Sequence, residues 1–293
     1  MSHPLGTVAD MTSHDAVDAP PATQWDEPRP PDLHPAFWAE TRPTDATLAT
    51  LDVPEGEAVH GADGRLLGWI AAPGTTGLGE LWLRLARQFP QTGLWPVRDT
   101  WYDLEEGRNW GHPYWEAPYA VAKRGFHAGT LPDRMYRDVP GDPGVPYIDL
   151  EEIADYVSAP EVTLAEPSAM EADPLSTLRA PTTAEKLVLL VCRRPADAVL
   201  TLDFGVPNDD ATPGMFVGVL RSWESRFGVV PEQLHPAWTT FQVIAPPSSE
   251  TDMRRLATEV IAFALDTASQ GGFGGTGRAE EMVGTRSWSI WWD

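Results

Sequence analysis

The last third of the chain has the most regular alternation of hydrophobic and polar positions. It opens with an unbroken hydrophobic run over residues 187–192, which is apolar on both faces and predicts a central, buried strand. It closes on residues 287–293, where one face carries Trp288, Ile290 and Trp292 and the other carries Ser287, Ser289 and Trp291. We interpret these two ends of the segment as neighbouring strands of one sheet.

Two helices and two further strands are predicted between those ends. Apolar residues recur at spacings of three and four over residues 215–227 and again from residue 250 to about residue 268. Strands are expected from Val229 and over residues 238–245. The resulting order of strand, helix, strand, strand, helix, strand is that of ferredoxin-like folds. We therefore predict an α+β protein whose C-terminal domain, residues 181–293, is a ferredoxin-like βαββαβ sandwich.

A smaller strand-helix-strand unit is predicted upstream. Residues 64–72 and 93–97 have the character of strands, and the helix between them has an apolar face that contains Leu78, Leu81, Trp82, Leu85 and Phe89. Strand, helix and strand in this order indicate one crossover connection. The glycine-rich turn at residues 73–79 matches neither a P-loop nor a dinucleotide fingerprint, so we interpret it as a plain helix entry.

Proline and acidic residues divide the chain into four predicted regions. Residues 1–50 are a flexible tail rich in Pro and Asp, which Trp25 or the pair Phe37 and Trp38 could pin to the folded part. Residues 51–137 form an N-terminal α/β region with an aromatic-rich loop. Residues 138–180 contain one basic residue, Arg179, and are interpreted as a solvated acidic linker. Residues 181–293 form the C-terminal domain.

The charge of the chain restricts its partners. Acidic residues number 43 and basic residues 21, which gives a formal net charge of −22. A nucleic-acid-binding protein needs a basic surface to neutralise phosphates. A chain with a large negative net charge is also repelled by anionic membranes. No nucleic acid and no membrane partner is therefore expected, whereas a basic protein partner is compatible with this charge. The sequence carries no signal for an oligomeric state.

The cysteine content and the hydrophobic profile indicate a compartment. Cys192 is the single cysteine, so an internal disulfide is not available to the chain. No signal peptide is recognised at the N-terminus, and no apolar run approaches the 18 residues or so that a membrane helix requires. We expect a soluble cytoplasmic protein.

The sequence contains no recognised catalytic or metal-binding pattern. The seven histidines do not pair with one another, with Cys192 or with carboxylates at metal-ligand spacing. The Gly-x-Ser-x-Gly pattern of a serine nucleophile is absent, and Cys192 lies in an apolar strand where burial makes a thiol unreactive. We therefore predict no catalytic residues, no cofactor and no metal site.

An aromatic and acidic segment over residues 101–119 supports an alternative. It places Trp101, Trp110, Trp115 and three tyrosines among carboxylates such as Glu105 and Glu106. Such rings can anchor a long loop to the surface of a domain, or they can stack on a sugar or a cation. The second possibility gives the alternative function, a hydrolase or transferase that acts on a small polar substrate.

Three short stretches resemble one known family. They are the helical segment Arg-Ser-Trp-Glu-Ser-Arg-Phe-Gly at residues 221–228, the tryptophan-rich terminus at residues 283–293, and Thr-Gly-Leu-Trp-Pro at residues 92–96. Together they resemble an uncharacterised bacterial family, domain-of-unknown-function family 4253, which is seen mostly in actinobacteria. The resemblance implies a shared fold unit and a cytoplasmic location, and it implies no activity.

The candidate binding residues follow from the last third of the chain and from the aromatic loop. They are Trp115, Arg221, Arg226, Trp288 and Trp291. Arg221 and Glu224 are three positions apart, so they are predicted to pair on the helix surface, whereas Arg226 needs a partner from elsewhere in the fold. Our leading interpretation is a non-enzymatic protein-interaction or binding module. One variant is an immunity or regulatory protein that masks a basic partner.

Overall fold

Seven strands from both halves of the chain form one mixed sheet. A computed structural model describes residues 24–61, 63–98, 154–160, 163–202, 213–235, 238–264, 266–269 and 279–292. The strands are β1 (Gly56–His60), β2 (Leu66–Ala71), β3 (Leu94–Arg98), β4 (Leu187–Val191), β5 (Val229–Leu234), β6 (Trp238–Val243) and β7 (Ser287–Trp291). Their order across the sheet is β1-β2-β4-β3-β5-β6-β7. The pair β3–β5 is parallel, and the other neighbouring strands are antiparallel.

Eight helices are described around this sheet, together with four short 3₁₀ turns. The helices are α1 (Asp45–Ala49), α2 (Leu78–Arg87), α3 (Phe89–Thr92), α4 (Ala198–Thr201), α5 (Pro213–Phe227), α6 (Glu250–Phe263), α7 (Asp266–Ser269) and α8 (Ala279–Val283). The 3₁₀ turns are Gln24–Asp26, Pro35–Phe37, Pro174–Thr177 and Pro195–Asp197. Gly228 follows α5 with a φ of 63°, the left-handed conformation that glycine adopts at the end of a helix. The α+β class is thereby confirmed.

Strand β4 is the buried central strand that its unbroken hydrophobic run predicts. All of its residues are buried, and β2 and β3 pair with it on its two sides. Leu189 lies opposite Trp69 of β2 and opposite Pro96 of β3. A strand that is apolar on both faces loses most contact with water in this position, because neighbouring strands and packed elements surround it.

The predicted pairing of β4 with β7 is wrong. Both strands belong to the same sheet, but β3, β5 and β6 lie between them, and β7 is at the edge. The ferredoxin-like strand order is therefore not the one observed, although the elements of the C-terminal third follow each other as predicted. The physical reason lies in β7 itself, because Ser287 and Ser289 are exposed on one face. A strand with one polar face suits a part of the sheet that is covered on one face, whereas β4 requires a position that is covered on both faces.

The upstream unit forms as strand, helix and strand, but its two strands are not neighbours. β2 and β3 are each antiparallel to β4, which lies between them, so they run parallel to each other. The sheet consequently crosses the predicted border between residues 51–137 and residues 181–293. The apolar strand β4 is paired on both edges with strands that precede it by about a hundred residues in the chain.

Helix α2 packs on β3 through aromatic side chains. Leu78, Trp82 and Leu85 are buried on one face of the helix, as its periodicity predicts. The ring of Trp82 meets Trp95 of β3 edge to face at a centroid distance of 5.9 Å, and Phe89 meets the same ring at 5.4 Å. Trp95 also donates its indole N–H to the Pro231 carbonyl of β5, at 2.8 Å. This cluster joins the upstream unit to the C-terminal third.

Replacing Gly79 with alanine is expected to lower the free energy of unfolding by about 1–3 kcal/mol. A methyl group at this position of α2 would overlap the carbonyl oxygen of Pro181, a backbone atom that cannot turn aside. The loss exceeds the gain of about 1 kcal/mol that alanine brings to a helix interior. Denaturant unfolding measures the difference.

The matched control is Gly61→Ala, where the nearest atoms belong to side chains at 3.2 Å or more. This variant is expected to stay within about 0.5 kcal/mol of the parent. Equal stabilities for the two alanine variants would contradict the close approach of α2 to Pro181.

The predicted flexible tail is packed from Gln24 onward. Leu33, Phe37 and Trp38 are buried, so the anchoring role expected of Phe37 and Trp38 is confirmed. The guanidinium of Arg193, just beyond β4, lies over the Trp38 ring at 4.2 Å and also donates to the Trp25 carbonyl. The first described residues therefore cover the end of the central strand.

The described part of the predicted acidic linker is anchored at several buried positions. Val157, Leu175 and Leu178 are buried among the core residues. The amide side chain of Gln242 on β6 exchanges two hydrogen bonds with the backbone of Arg179, at 2.8 and 2.9 Å. Residues 163–180 thus follow the surface of the sheet and its helices and do not extend away from them.

Candidate functional site

Glu224 of α5 is completely buried and forms an ion pair that the sequence spacing did not predict. Its carboxylate accepts hydrogen bonds from Arg194 Nε at 2.5 Å and from the backbone N–H of Ala196 at 2.8 Å. The 3₁₀ turn Pro195–Asp197 places both donors against the helix. The predicted surface pair between Arg221 and Glu224 is therefore wrong, because that turn covers the helix face that carries Glu224.

Arg221 pairs with two other carboxylates. Its guanidinium donates to both oxygens of Asp197, at 2.6 and 2.8 Å, and lies 3.3 Å from a carboxylate oxygen of Glu27. Burial disfavours the charged guanidinium, but Asp197 and Glu27 outweigh it and raise the pKa of Arg221. This predicted binding residue thus joins α5 to the turn after β4 and to the N-terminal segment.

Arg226 binds a carboxylate from another helix, as predicted. It pairs with Glu259 of α6 at 2.5 Å and donates to the Ala165 carbonyl at 3.0 Å. Glu259 also accepts the indole N–H of Trp223 at 3.0 Å, so one buried carboxylate joins α5, α6 and residue 165. Both predicted arginines are engaged in holding the fold together.

Stability should depend on the protonation of Glu224. Burial raises the pKa of Glu224 to about 7, against the opposing effect of Arg194 and the Ala196 N–H. The folded state therefore binds this proton more tightly than the unfolded state, in which the pKa is near 4.5. The resulting stabilisation is fully present below pH 4.5 and is lost as the pH rises through about 7.

The difference in unfolding free energy between the parent and Glu224→Gln, measured from pH 4.5 to pH 8, isolates this effect. The parent should lose more stability than the variant over this range, because glutamine does not titrate. Parallel curves for the two proteins would contradict the raised pKa.

Trp288 lies in the core and not on the surface. It is fully buried, and its ring meets Trp223 edge to face at a centroid distance of 5.8 Å. Phe241 of β6 and Phe263 of α6 surround Trp223 in the same way, at 6.5 and 5.6 Å. Trp288 therefore packs β7 against helices α5 and α6, and its ring has no access to a ligand.

The opposite face of β6 and β7 is the candidate site. We call it the outer face and define it as Trp238, Thr240 and Gln242 of β6 with Ser287, Ser289 and Trp291 of β7. Ser287 and Ser289 are exposed, and Trp238, Thr240 and Trp291 are half-buried. Trp238 lies directly opposite Trp291, and their rings are parallel within 2° at a centroid distance of 5.7 Å.

His235 extends this aromatic pair. Its ring stacks on Trp238 at a centroid distance of 3.5 Å and an interplanar angle of 14°. The backbones of His235 and Trp238 exchange two hydrogen bonds of 3.1 Å, which close the hairpin between β5 and β6. Burial lowers the pKa of His235, which favours the neutral ring. Of the sequence-predicted site residues that the structure describes, only Trp291 lies on the outer face.

Comparison with known proteins identifies the segment that carries this face. A family described as Domain of unknown function (DUF4253) matches residues 186–293. Residues 186–293 are thus similar to this family. No match was found among the curated proteins or among the solved structures. The family resemblance of the sequence is thereby confirmed for this segment.

The DUF4253 segment supplies β4 to β7, whereas β1, β2 and β3 precede it. Strand β3 lies between two strands of the family segment, β4 and β5. In this chain the sheet of the DUF4253 segment is therefore completed by a strand from outside it. The outer face and the buried ion pairs of α5 lie within the segment or contact it directly.

Two residues of the site were missed by the sequence reasoning. Trp238 was counted only as a strand residue, and His235 was considered only as a metal ligand. The signal was present in the order of the predicted strands, because a strand from Val229 followed closely by a strand from Trp238 indicates a hairpin, with positions 235 and 238 near its turn. Trp115 and the aromatic segment at residues 101–119 lie outside the described residues.

Two further features concern metal binding and membrane insertion. No group of three or more His, Cys, Asp or Glu side chains in the described part of the chain is arranged to hold a metal ion. Within the same residues, no helix has both the length and the apolar character that crossing a bilayer requires.

Cys192 of the DUF4253 segment should resist alkylation in the folded protein. The thiol is fully buried, and burial raises its pKa well above the ordinary value, with further contributions from Asp197 and Glu224. We expect no modification by iodoacetamide at pH 8 under native conditions and complete modification in denaturant, as read by mass spectrometry. Rapid labelling of the native protein would contradict the burial of this strand end.

Proposed function

We propose that the protein is a non-enzymatic cytoplasmic binding module that receives a basic protein partner on the outer face of β6 and β7. The observation that carries the proposal is the pair of half-buried tryptophans, Trp238 and Trp291, beside exposed serines on one side of the sheet. This arrangement combines a large apolar contact area with polar groups at its border.

The composition of the outer face supports protein binding. Tryptophan is enriched at protein interfaces and at the positions that contribute most of the binding free energy. The alternation along β7 gives the two tryptophans of the strand different roles, since Trp288 fills the core and Trp291 lies on the other side. The core of the DUF4253 segment is already complete without Trp291, because Trp288, Ile290 and Trp292 fill that side.

The charge of the chain supports a basic partner. A formal net charge of −22 attracts a basic surface over long distances and accelerates its association. The same charge disfavours nucleic acids and anionic membranes as partners. An immunity or regulatory protein that masks the basic surface of another protein is the form of this function that the charge favours.

Site-directed crosslinking tests the proposal. Cys192 is buried, so Ser289→Cys introduces one accessible thiol at the centre of the outer face, to which a photocrosslinker can be attached. The matched control is Thr76→Cys in the exposed turn before α2. Crosslinking is carried out in a native bacterial lysate at low and at high salt.

The expected result is one product with a basic protein from position 289, absent from position 76 and lost at high salt. Products that form equally from both positions would contradict the outer face as the binding surface. A product from position 289 that salt leaves unchanged would contradict the electrostatic part of the proposal, and no product at all would contradict the binding function.

A further inference from the structure

The aromatic rings of the outer face form a stack that ends at the edge of the sheet. His235 directly follows β5, Trp238 opens β6 and Trp291 closes β7, so the three rings follow one another across the last three strands of the sheet. His235 and Trp238 are 3.5 Å apart, and Trp238 and Trp291 are parallel within 2°. Because β7 is the last strand of the sheet, Trp291 is the terminal ring of this stack among the described residues.

The backbone beside Trp291 is closed to a further strand. The hydroxyl of Thr267 receives a hydrogen bond from the Trp291 N–H at 2.8 Å and donates to the Trp291 carbonyl at 3.1 Å. These are the groups with which an added strand would pair at this position. The Ser287 carbonyl, which lies on the same edge beyond Ser289, accepts a hydrogen bond from the Thr285 hydroxyl at 2.8 Å. At Trp291 itself, a partner therefore extends the stack with a side chain and not with its backbone.

We propose that Trp291 is the binding site for an arginine side chain of the partner, whose planar guanidinium forms the next layer of the stack. This inference rests on the proposed function, since it names the residue type by which the basic partner is recognised. A guanidinium combines a flat face, which matches the parallel rings, with the positive charge that a protein of charge −22 attracts.

Other planar or charged groups fit less well. A lysine ammonium is a strongly hydrated point charge without a flat face to stack on the indole. A nucleobase has the flat face but brings phosphates, which the charge of −22 repels. A neutral aromatic side chain would stack, but it would gain nothing from the charge of this protein. Arginine has both the flat face and the positive charge.

Two basic peptides of twelve residues test the inference. They have the same sequence and the same net charge, and they differ only in carrying arginine or lysine at every basic position. Their affinities for the full-length protein are measured by isothermal titration calorimetry at low salt. The arginine peptide is expected to bind about three- to thirtyfold more tightly than the lysine peptide, the range that a cation–π contact provides.

Substitutions at the terminal ring identify the site. Trp291→Leu keeps an apolar side chain but removes the ring face, so it should bring the ratio of the two affinities to about one by weakening the arginine peptide more than the lysine peptide. Trp291→Phe keeps a smaller ring and should give an intermediate ratio, which provides a second readout if the leucine variant does not fold. Thr76→Ala, in the exposed turn before α2 and outside the outer face, is the control and should retain the parental ratio.

Each outcome decides one proposal. Equal affinities of the parent for the two peptides, with binding weakened by salt, would overturn the arginine site and leave the basic partner in place. If Trp291→Leu still prefers the arginine peptide, another residue is responsible for that preference, and the inference is overturned as well. If neither peptide binds, the arginine site is overturned, and crosslinking from position 289 decides the proposed function separately.

Discussion

Replacing Glu224 with alanine is expected to lower the free energy of unfolding by about 3–5 kcal/mol. The substitution removes the carboxylate that pairs with Arg194 at 2.5 Å and accepts the Ala196 N–H at 2.8 Å. The guanidinium of Arg194 is almost completely buried, so its charge would remain in the interior, where its other acceptors among the described residues are the neutral Arg221 carbonyl and Ser225 hydroxyl. Urea unfolding at pH 8, where Glu224 is ionised, measures this loss.

The double variant Arg194→Met with Glu224→Leu is the control. It removes both charges and replaces them with apolar side chains, so the interior keeps no unpaired ion. We expect its stability to exceed that of Glu224→Ala, because the cost of the single substitution arises from the charge left behind. A single variant that loses less than about 1 kcal/mol would show that the pair is exposed to water and would contradict its burial.

Replacing Trp223 with alanine is the second substitution with a large expected effect, about 3–5 kcal/mol. The ring is 1% exposed and meets Phe241, Phe263 and Trp288, so it joins α5 to α6, β6 and β7. Its removal leaves a cavity at the contact between the helices and the sheet. The same unfolding measurement, together with near-ultraviolet circular dichroism, detects the loss of this packing.

Trp223→Phe separates packing from hydrogen bonding. Phenylalanine keeps an aromatic ring in the cluster but cannot donate to Glu259, which the Trp223 N–H reaches at 3.0 Å. Arg226 continues to neutralise Glu259, so this variant should lose about 1–3 kcal/mol, less than the alanine variant. Equal losses for the two variants would assign the whole effect to the hydrogen bond and contradict the role of the ring cluster.

These two substitutions affect the same helix through different interactions. Glu224 holds α5 to the turn after β4, and Trp223 holds it to the face of β6 and β7 that is opposite the outer face. The outer face depends on the second contact, because Trp288 and Trp291 belong to one short strand. A binding surface on β7 therefore requires the packed core behind it, which fixes the direction in which Trp291 points.

Individual helices and strands could be predicted where one stretch of the chain carries the whole hydrophobic pattern of that element. The run at residues 187–192 is apolar on both faces, and Leu187–Val191 is the buried central strand. The alternation of Trp288, Ile290 and Trp292 with serines correctly divided β7 into two faces, and the face with these three residues is the buried one. The apolar face of α5, with Phe216 and Trp223, was recognised from spacings of three and four and is buried.

The strand order could not be predicted in this way. Strand β3 lies between β4 and β5, although β4 follows it by about ninety residues. Backbone hydrogen bonds of a sheet are the same whichever strand donates them, so the hydrogen-bonding pattern of a strand does not specify its neighbour. The choice is made by the side chains that become buried together, such as Trp95 with Trp82 and Phe89.

The partners of the charged residues were also decided by the tertiary structure. The spacing of Arg221 and Glu224 allows a pair on the helix surface, but Asp197 and Arg194 reach these side chains from the turn after β4. A carboxylate that is buried away from water needs hydrogen-bond donors to replace the lost water molecules. For Glu224 these donors come from the turn after β4 and not from its own helix. Helix spacing alone contains no information on which face another segment will cover.

The sequence by itself therefore determined the α+β class, the central position of β4, the two faces of β7 and the similarity of residues 186–293 to one family. The tertiary structure alone decided the order of the strands, the ion pairs of α5 and the stack of His235, Trp238 and Trp291. Periodic hydrophobicity is a local property, which each segment carries with it. Contacts between distant segments depend on which surfaces exclude water together, and only the folded chain brings those surfaces into contact.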